Sequence, residues 1–178
     1  MGLRLRPDKR AESARETFAQ LYEYYLPKVF RYISYQVGDI DLAEDLTSAV
    51  FEKVLTRLDS YRSDKAAFST WLMTVARNTV IDHYRVKSRK ITVSIEETLE
   101  PASEEISPEE KVIRKEELQN LNTYLRELPQ QEREIVSLKF GAELTNRQIA
   151  KILTLSESNV GTILYRVICK LRDKFKEG

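Results

Sequence analysis

Apolar residues recur along this chain at intervals of three and four, the period of helices that bury one side. From Ser13 to about Val37 they are Phe18, Leu21, Tyr22, Tyr25, Leu26, Val29, Phe30, Ile33 and Val37, with Pro27 placed where it should kink or divide the helix. Val37-Gly38-Asp39-Ile40 closes this element, and Asp41 with Glu44 three residues later offers an acidic capped start to the next. In that second helix Leu42, Leu46, Val50, Val54 and Leu58 line one face, while Glu44, Asp45, Ser48, Glu52 and Lys53 line the other. Asp59 to Thr70 reads as a polar loop with Tyr61 and Phe68 embedded in it. Trp71, Leu72, Val75, Thr79 and Val80 begin a third helix whose far end turns basic.

The second half of the chain repeats this grammar with sharper punctuation. Ser107-Pro108-Glu109-Glu110 is a capped start with Pro in the first turn, and Val112, Leu118, Leu121 and Leu125 anchor a helix from Pro108 to about Leu125. Leu128-Pro129 restarts the chain. Ile135, Val136, Leu138 and Phe140 form the next apolar face, which Gly141 ends. Thr145 with Gln148 is a capping box opening a short helix edged by Ile149, Ile152 and Leu153. Leu155-Ser156 breaks the pattern, and the small polar residues after it start a final helix. At roughly 100° per residue, Val160, Ile163, Leu164, Val167, Ile168 and Leu171 share its inner side. Ser158, Asn159, Thr162, Tyr165, Arg166 and Cys169 face away. Two short capped helices with an outward polar, aromatic and Arg surface near the start of the second read as a helix-turn-helix for a DNA major groove. A plain helical hairpin is the alternative reading of the same stretch.

No strand of convincing length and no repeat is visible, so the expected class is all-α. The pattern predicts an arm over 1–12, a helical domain over 13–90, a linker over 91–107 and a helix-turn-helix domain over 108–178. Charge changes this picture where composition does not. The 178 residues carry a net charge of only +1, with 42% hydrophobic and 32% charged side chains. Yet Arg77, Arg85, Lys87, Arg89 and Lys90 face a single acid, Asp82, between Arg77 and Lys90, and five basic residues face one acid between Arg166 and Lys176. Between Ile91 and Glu110 there are seven Glu and no basic residue. Two basic patches thus flank an acidic segment, suited to a flexible linker. One cysteine, Cys169, excludes an internal disulfide, and with only His83 beside it no His/Cys metal cluster can form. No cofactor is implied. A reduced cytoplasmic setting fits, and no apolar run approaches the roughly 20 residues of a spanning helix.

Three strings in this order, DLAEDLTSAVFEKVL, FSTWLMTVARNTVIDHYR and the LPQQEREIVSLKF, LTNRQIAKIL, VGTILYRV series, resemble the extracytoplasmic-function group of sigma-70 factors. The resemblance covers roughly Thr17 to Lys90 and Glu117 to Phe175. It implies a first domain that binds core RNA polymerase and captures the unwound minus-10 strand of promoter DNA, and a second that holds the minus-35 duplex. It also makes an anti-sigma factor a candidate partner, while the lack of a spanning apolar run argues against membrane insertion. Carried over residue by residue, Glu44, Asp45 and Glu52 become candidates for polymerase. Phe68, Asn78, Asp82, Tyr84, Arg85, Lys87, Arg89 and Lys90 become candidates for minus-10 DNA, and Ser158, Asn159, Thr162, Tyr165, Arg166 and Lys170 for minus-35 DNA.

The chain departs from the family where Ser48-Ala49 replaces a common Gln-Glu, and where Leu164 and Cys169 replace positions that are often basic. A stand-alone helix-turn-helix regulator is the second reading. An enzyme acting on nucleic acid, with Glu44, Asp45 and Glu52 holding a metal, is a third, weakened because all three come from one helix and lack convergent partners.

Overall fold

The computed structural model describes residues 9–91, 121 and 123–177, and places side chains for 18–89, 121 and 123–174. Among them every regular element is helical. Helix α1 spans Lys9–Val37, α2 Ile40–Arg57 and α3 Phe68–Ile91, with a 3-10 turn at Leu58–Ser60. Residues 123–127 are helical. Helix α4 (Gln130–Val136) runs into a π turn, Ser137–Gly141, and α5 (Asn146–Leu153) and α6 (Glu157–Glu177) complete the chain.

Helix α1 starts inside the stretch expected as an arm and passes through Pro27 undivided. Pro27 is exposed, so the carbonyl one turn back that loses its donor can bond water, while Val29, Tyr32 and Ile33 beyond it are fully buried. Gly38 ends α1 at φ +67, a left-handed conformation that glycine adopts without a Cβ penalty. The cap of α2 is Asp39 rather than Asp41: its carboxylate accepts the Leu42 backbone N–H at 3.0 Å. Helix α3 begins at Phe68, three residues before the expected start, and extends through Ile91, the first residue assigned to the linker. The remaining linker positions and most of the helix expected from Pro108 lie outside the described residues.

The first block packs α2 against α1 and α3 through Ala43, Leu46, Val50, Phe51 and Val54 of α2, meeting Leu72, Met73, Ala76 and Val80 of α3. The second packs α4, α5 and α6 about Ile135, Leu138, Ile149, Val160, Ile163, Leu164 and Val167. Three residues of the expected apolar faces stand in solvent instead: Tyr22 of α1 is 39% exposed, Phe140, in the π turn, 49% and Ile168 45%. The extra residue in a π turn rotates the apolar register, so Phe140 leaves the face that holds Leu138. The buried residues of both blocks form one contiguous core, because α1 packs directly on the π turn and α3 on α5.

Candidate nucleic-acid interface

The helix-turn-helix is built by local hydrogen bonds. Thr145 and Gln148 close the expected capping box, the Gln148 N–H donating to Thr145 Oγ1 at 3.3 Å and the Thr145 N–H to Gln148 Oε1 at 2.9 Å. Thr154 ends α5 in the left-handed region, φ 57. Ser156 Oγ then accepts the Asn159 N–H at 3.1 Å, turning the chain into α6. Ile149 and Val160, both without exposed surface, pin the crossing of α5 and α6. Ser158, Asn159, Thr162, Tyr165 and Arg166 are left in solvent along one side of α6, Tyr165 at 72% exposed. Lys170, one turn beyond Arg166, pairs with Glu132 of α4 at 3.1 Å, so part of its charge is neutralised within the block. Leu164 is buried, and its position belongs to the packing of this block rather than to its outer face.

In the first block the expected minus-10 set divides. On α3, Asn78, Asp82, Arg85 and Arg89 fall within about 60° of one another and form one stripe. Asp82 and Arg85 pair at 3.1 Å, and both remain half or more exposed. Tyr84 and Lys87 point elsewhere, more than 100° round the helix from Asn78. Burial raises the Tyr84 hydroxyl pKa, and the positive charges of Arg133 and Arg126 in the second block act against that rise, so this side of α3 looks toward the second block. Lys90 is in α3, with its side chain outside the described set.

Phe68 opens α3 half-buried in an aromatic group, its ring 5.3 Å from Tyr25, 5.3 Å from Tyr61 and 5.6 Å from Trp71. Tyr61 also donates its hydroxyl to the Ala66 carbonyl at 3.0 Å. The loop before α3 is therefore braced from below, with Phe68 as part of its support and Arg62 to Lys65 exposed at its tip.

Glu44, Asp45 and Glu52 all lie exposed on α2. Beside Glu44 an open groove of about 450 Å³ is lined by Leu26, Pro27 and Phe30 of α1 and by Thr47 and Ser48 of α2. The small Ser48 leaves an apolar hollow next to an acidic rim. No group of three or more His, Cys, Asp or Glu among the described residues could hold a metal ion. No described helix is long and apolar enough to cross a membrane.

Several residues are joined across the two blocks by contacts that no local signal marks. Tyr32 of α1 donates its hydroxyl to Glu134 Oε1 of α4 at 3.0 Å, and Arg77 of α3 donates to the same oxygen at 3.0 Å. Burial, with the adjacent Glu134 charge, lifts the Tyr32 hydroxyl pKa well above its usual range and keeps it a neutral donor. Glu143 accepts from Lys28 at 2.9 Å and from Arg31 at 2.5 Å. Gln148 donates to Ser69 Oγ at 2.8 Å and Arg126 to the Gly38 carbonyl at 2.7 Å.

Comparison with known proteins gives two family matches in chain order. Residues 21–90 match sigma-70 region 2 and residues 118–171 match sigma-70 region 4. The sigma factor BldN of Streptomyces coelicolor is 35% identical over 163 residues, which cover 90% of this chain and 61% of BldN. SigM of Bacillus subtilis is 31% identical over 165 residues, covering 91% of this chain and 97% of SigM; both relatives are described as extracytoplasmic-function RNA polymerase sigma factors. Among solved structures, the sigma factor RpoE of Bartonella quintana, in complex with the anti-sigma factor NepR, superposes with a TM-score of 0.71 at 20% identity. It covers 90% of this chain and 98% of RpoE, and shows a shared fold.

Proposed function

The chain belongs to the extracytoplasmic-function sigma factors of the sigma-70 family, and from that premise we propose that it binds core RNA polymerase and directs initiation at promoters with two upstream elements. The observation that carries this reading is that each matched block leaves one chemically distinct face open: the acidic rim and groove of α2 in the first, the polar and Arg side of α6 in the second.

Each face has a physical role. Glu44, Asp45 and Glu52 pair with basic groups on polymerase while the groove beside Ser48 takes up apolar surface, a division that gives both register and affinity. The stripe of Asn78, Asp82, Arg85 and Arg89, with the braced loop ahead of α3, receives the unwound minus-10 strand. Taking a base from the stack costs a few kcal/mol, which polar pockets and a basic track offset. Arg89, with Lys87 and Lys90 near it in sequence, contributes phosphate contacts that are largely blind to sequence. Ser158, Asn159, Thr162, Tyr165 and Arg166 read the minus-35 duplex from the major groove, and Arg166, the one cation of that face, is the leading base or phosphate contact.

The reaction needs no catalytic residue here, since polymerase makes the bond and this chain supplies position and melting. The protein acts in the cytoplasm as a non-enzymatic subunit. The NepR complex of the structurally similar RpoE supports an anti-sigma partner for this chain as well. In vitro initiation with bacterial core polymerase on a pool of random promoters tests the reading. Transcripts whose start sites share two upstream elements about one and a half to two helical turns apart are expected. Duplex binding by the chain alone without transcripts would indicate a stand-alone regulator instead.

A further inference from the structure

Two cations of α2 stand apart from the acids on the outer face of that helix. Lys53 lies about 80° to 180° round the helix from Glu44, Asp45 and Glu52, and Arg57, one turn on, falls within about 40° of Lys53. Among the described residues no ion pair engages either of them.

Lys53 reaches across to α3 instead. Its ammonium donates to Thr79 Oγ1 at 3.1 Å, and the buried Thr79 hydroxyl in turn donates to the Val75 carbonyl at 2.9 Å. Thr79 follows Asn78 in sequence and lies about 60° round α3 from Asp82, so this bond sets the lysine at the edge of the stripe of Asn78, Asp82, Arg85 and Arg89. A carboxylate in the place of Thr79 would neutralise the lysine. A hydroxyl holds the side chain while leaving its charge intact and two of its three ammonium protons for a ligand. A lysine held in this way has already lost part of the rotamer freedom that gripping a phosphate would cost.

The course of the two helices fixes where Arg57 falls. Lys53 meets Thr79 and, past the end of α2, Tyr61 meets Trp71, so α2 and α3 run antiparallel. Arg57 therefore lies between the stripe and the loop ahead of α3, whose exposed tip carries Lys65 and the Arg62 and Asp64 pair. Residues one turn apart on a helix are separated by about 6 Å along its axis, similar to the step between neighbouring phosphates of an extended strand.

We propose that Lys53 and Arg57 form a second wall of the minus-10 site, binding backbone phosphates of the unwound DNA strand along the seam between α2 and α3. The proposal rests on the sigma reading above and extends it: one helix serves both partners, with acids toward polymerase and cations toward DNA. Phosphate contacts carry no sequence information, so these two residues set the affinity and position of the strand and leave base choice to the stripe and the loop.

Holoenzyme assembled from core polymerase and full-length Lys53→Gln, Arg57→Gln, the double variant or Lys53→Arg is titrated with a single-stranded oligonucleotide carrying the minus-10 sequence, at several salt concentrations. Lys53→Gln should bind about three- to tenfold more weakly, equally for every base variant of the oligonucleotide. The slope of log affinity against log salt should become shallower by about 0.7 for each single substitution to Gln and by about 1.4 for both together. Lys53→Arg should keep the parent's slope, and every variant should bind core without DNA as the parent does. Folded Gln variants with the parent's slope overturn the proposal, as does a loss confined to particular bases. Weaker core binding in the absence of DNA overturns it too, since the two cations would then contact polymerase. If Lys53→Gln loses helicity, Arg57→Gln decides, because that side chain is exposed and packs no core. A parent chain that neither binds core nor initiates from any promoter sinks the sigma reading instead. The same salt titration on the chain alone then decides the phosphate site: a shallower slope in the Gln variants retains it, and an unchanged one overturns it.

Discussion

Arg166 concentrates the recognition chemistry of α6 because it is the only cation among the five outward residues, and no ion pair engages it among the described residues. Lys170 one turn on has a partner in Glu132, which lowers what it can give to a phosphate. Arg166→Ala should therefore weaken promoter binding by about 1–3 kcal/mol. A competition assay over single-base variants of the upstream element separates two outcomes: relaxed discrimination at one base pair marks a base contact, and uniform weakening with a shallower salt dependence marks a phosphate contact. Leu164 is buried and contributes to packing rather than to the outward face. At the same scale Phe68 changes character: its three ring neighbours make it a brace for the loop.

Among the elements, α5 is the one whose stability rests most on its first turn. It has eight residues, too short to be stable by propensity, and depends on its capping box and on Ile149 and Ala150 buried against α6. Thr145→Ala should cost about 1 kcal/mol of stability, read in urea unfolding of the full chain. It should also loosen Gln148, whose amide reaches Ser69 in the other block, so the substitution couples a local cap to the inter-block contact. Thr145→Ser, which keeps the hydroxyl acceptor, should restore most of the loss. Helix α1 works differently. It tolerates Pro27 because tertiary burial of Val29, Tyr32 and Ile33 holds the helix beyond the missing hydrogen bond, while the exposed ring helps to line the groove beside Glu44.

For the whole molecule the pairing of Glu143 with Lys28 and Arg31 predicts how the contact between the two blocks depends on pH. Hydrogen bonds from Lys28, then Arg31, hold the Glu143 carboxyl below its ordinary 4.5. The bond from Glu143 is likewise the main cause that raises Lys28 above 10.5. A lowered carboxylate pKa contributes stability that is present above 4.5 and lost as pH falls through the lowered value. A raised lysine pKa contributes stability that is full below 10.5 and lost as pH rises through the raised value. That contact should thus be level across the neutral range and weaken in acid. Comparing the hydrodynamic radius of the parent and Glu143→Gln across pH 7 to 3 should show the difference present at neutral pH vanish as the carboxyl protonates. Because these groups are partly exposed, added salt should shrink the same difference.

What the sequence determined by itself was local. The capping box of Thr145 and Gln148, the helical phases of α2 and α6, and the outward face from Ser158 to Arg166 all follow from residues within one or two turns of each other. Interactions at that range act before the rest of the chain is placed. Where the structure departs from that reading the source is the same: spacing alone points to Asp41 as the cap whereas Asp39 holds the Leu42 N–H, and periodicity presumes a regular α turn where a π turn moves Phe140 into solvent. Only the tertiary structure decided that Tyr32 meets Glu134 across 102 positions and Arg77 across another 57, or that Gly141 serves a backbone approach as well as the end of a helix. It also turned Tyr84 toward Arg126 and Arg133, away from the stripe of Asn78. No periodicity encodes such pairs, because the energy of a contact between distant residues exists only once the whole chain has brought them together.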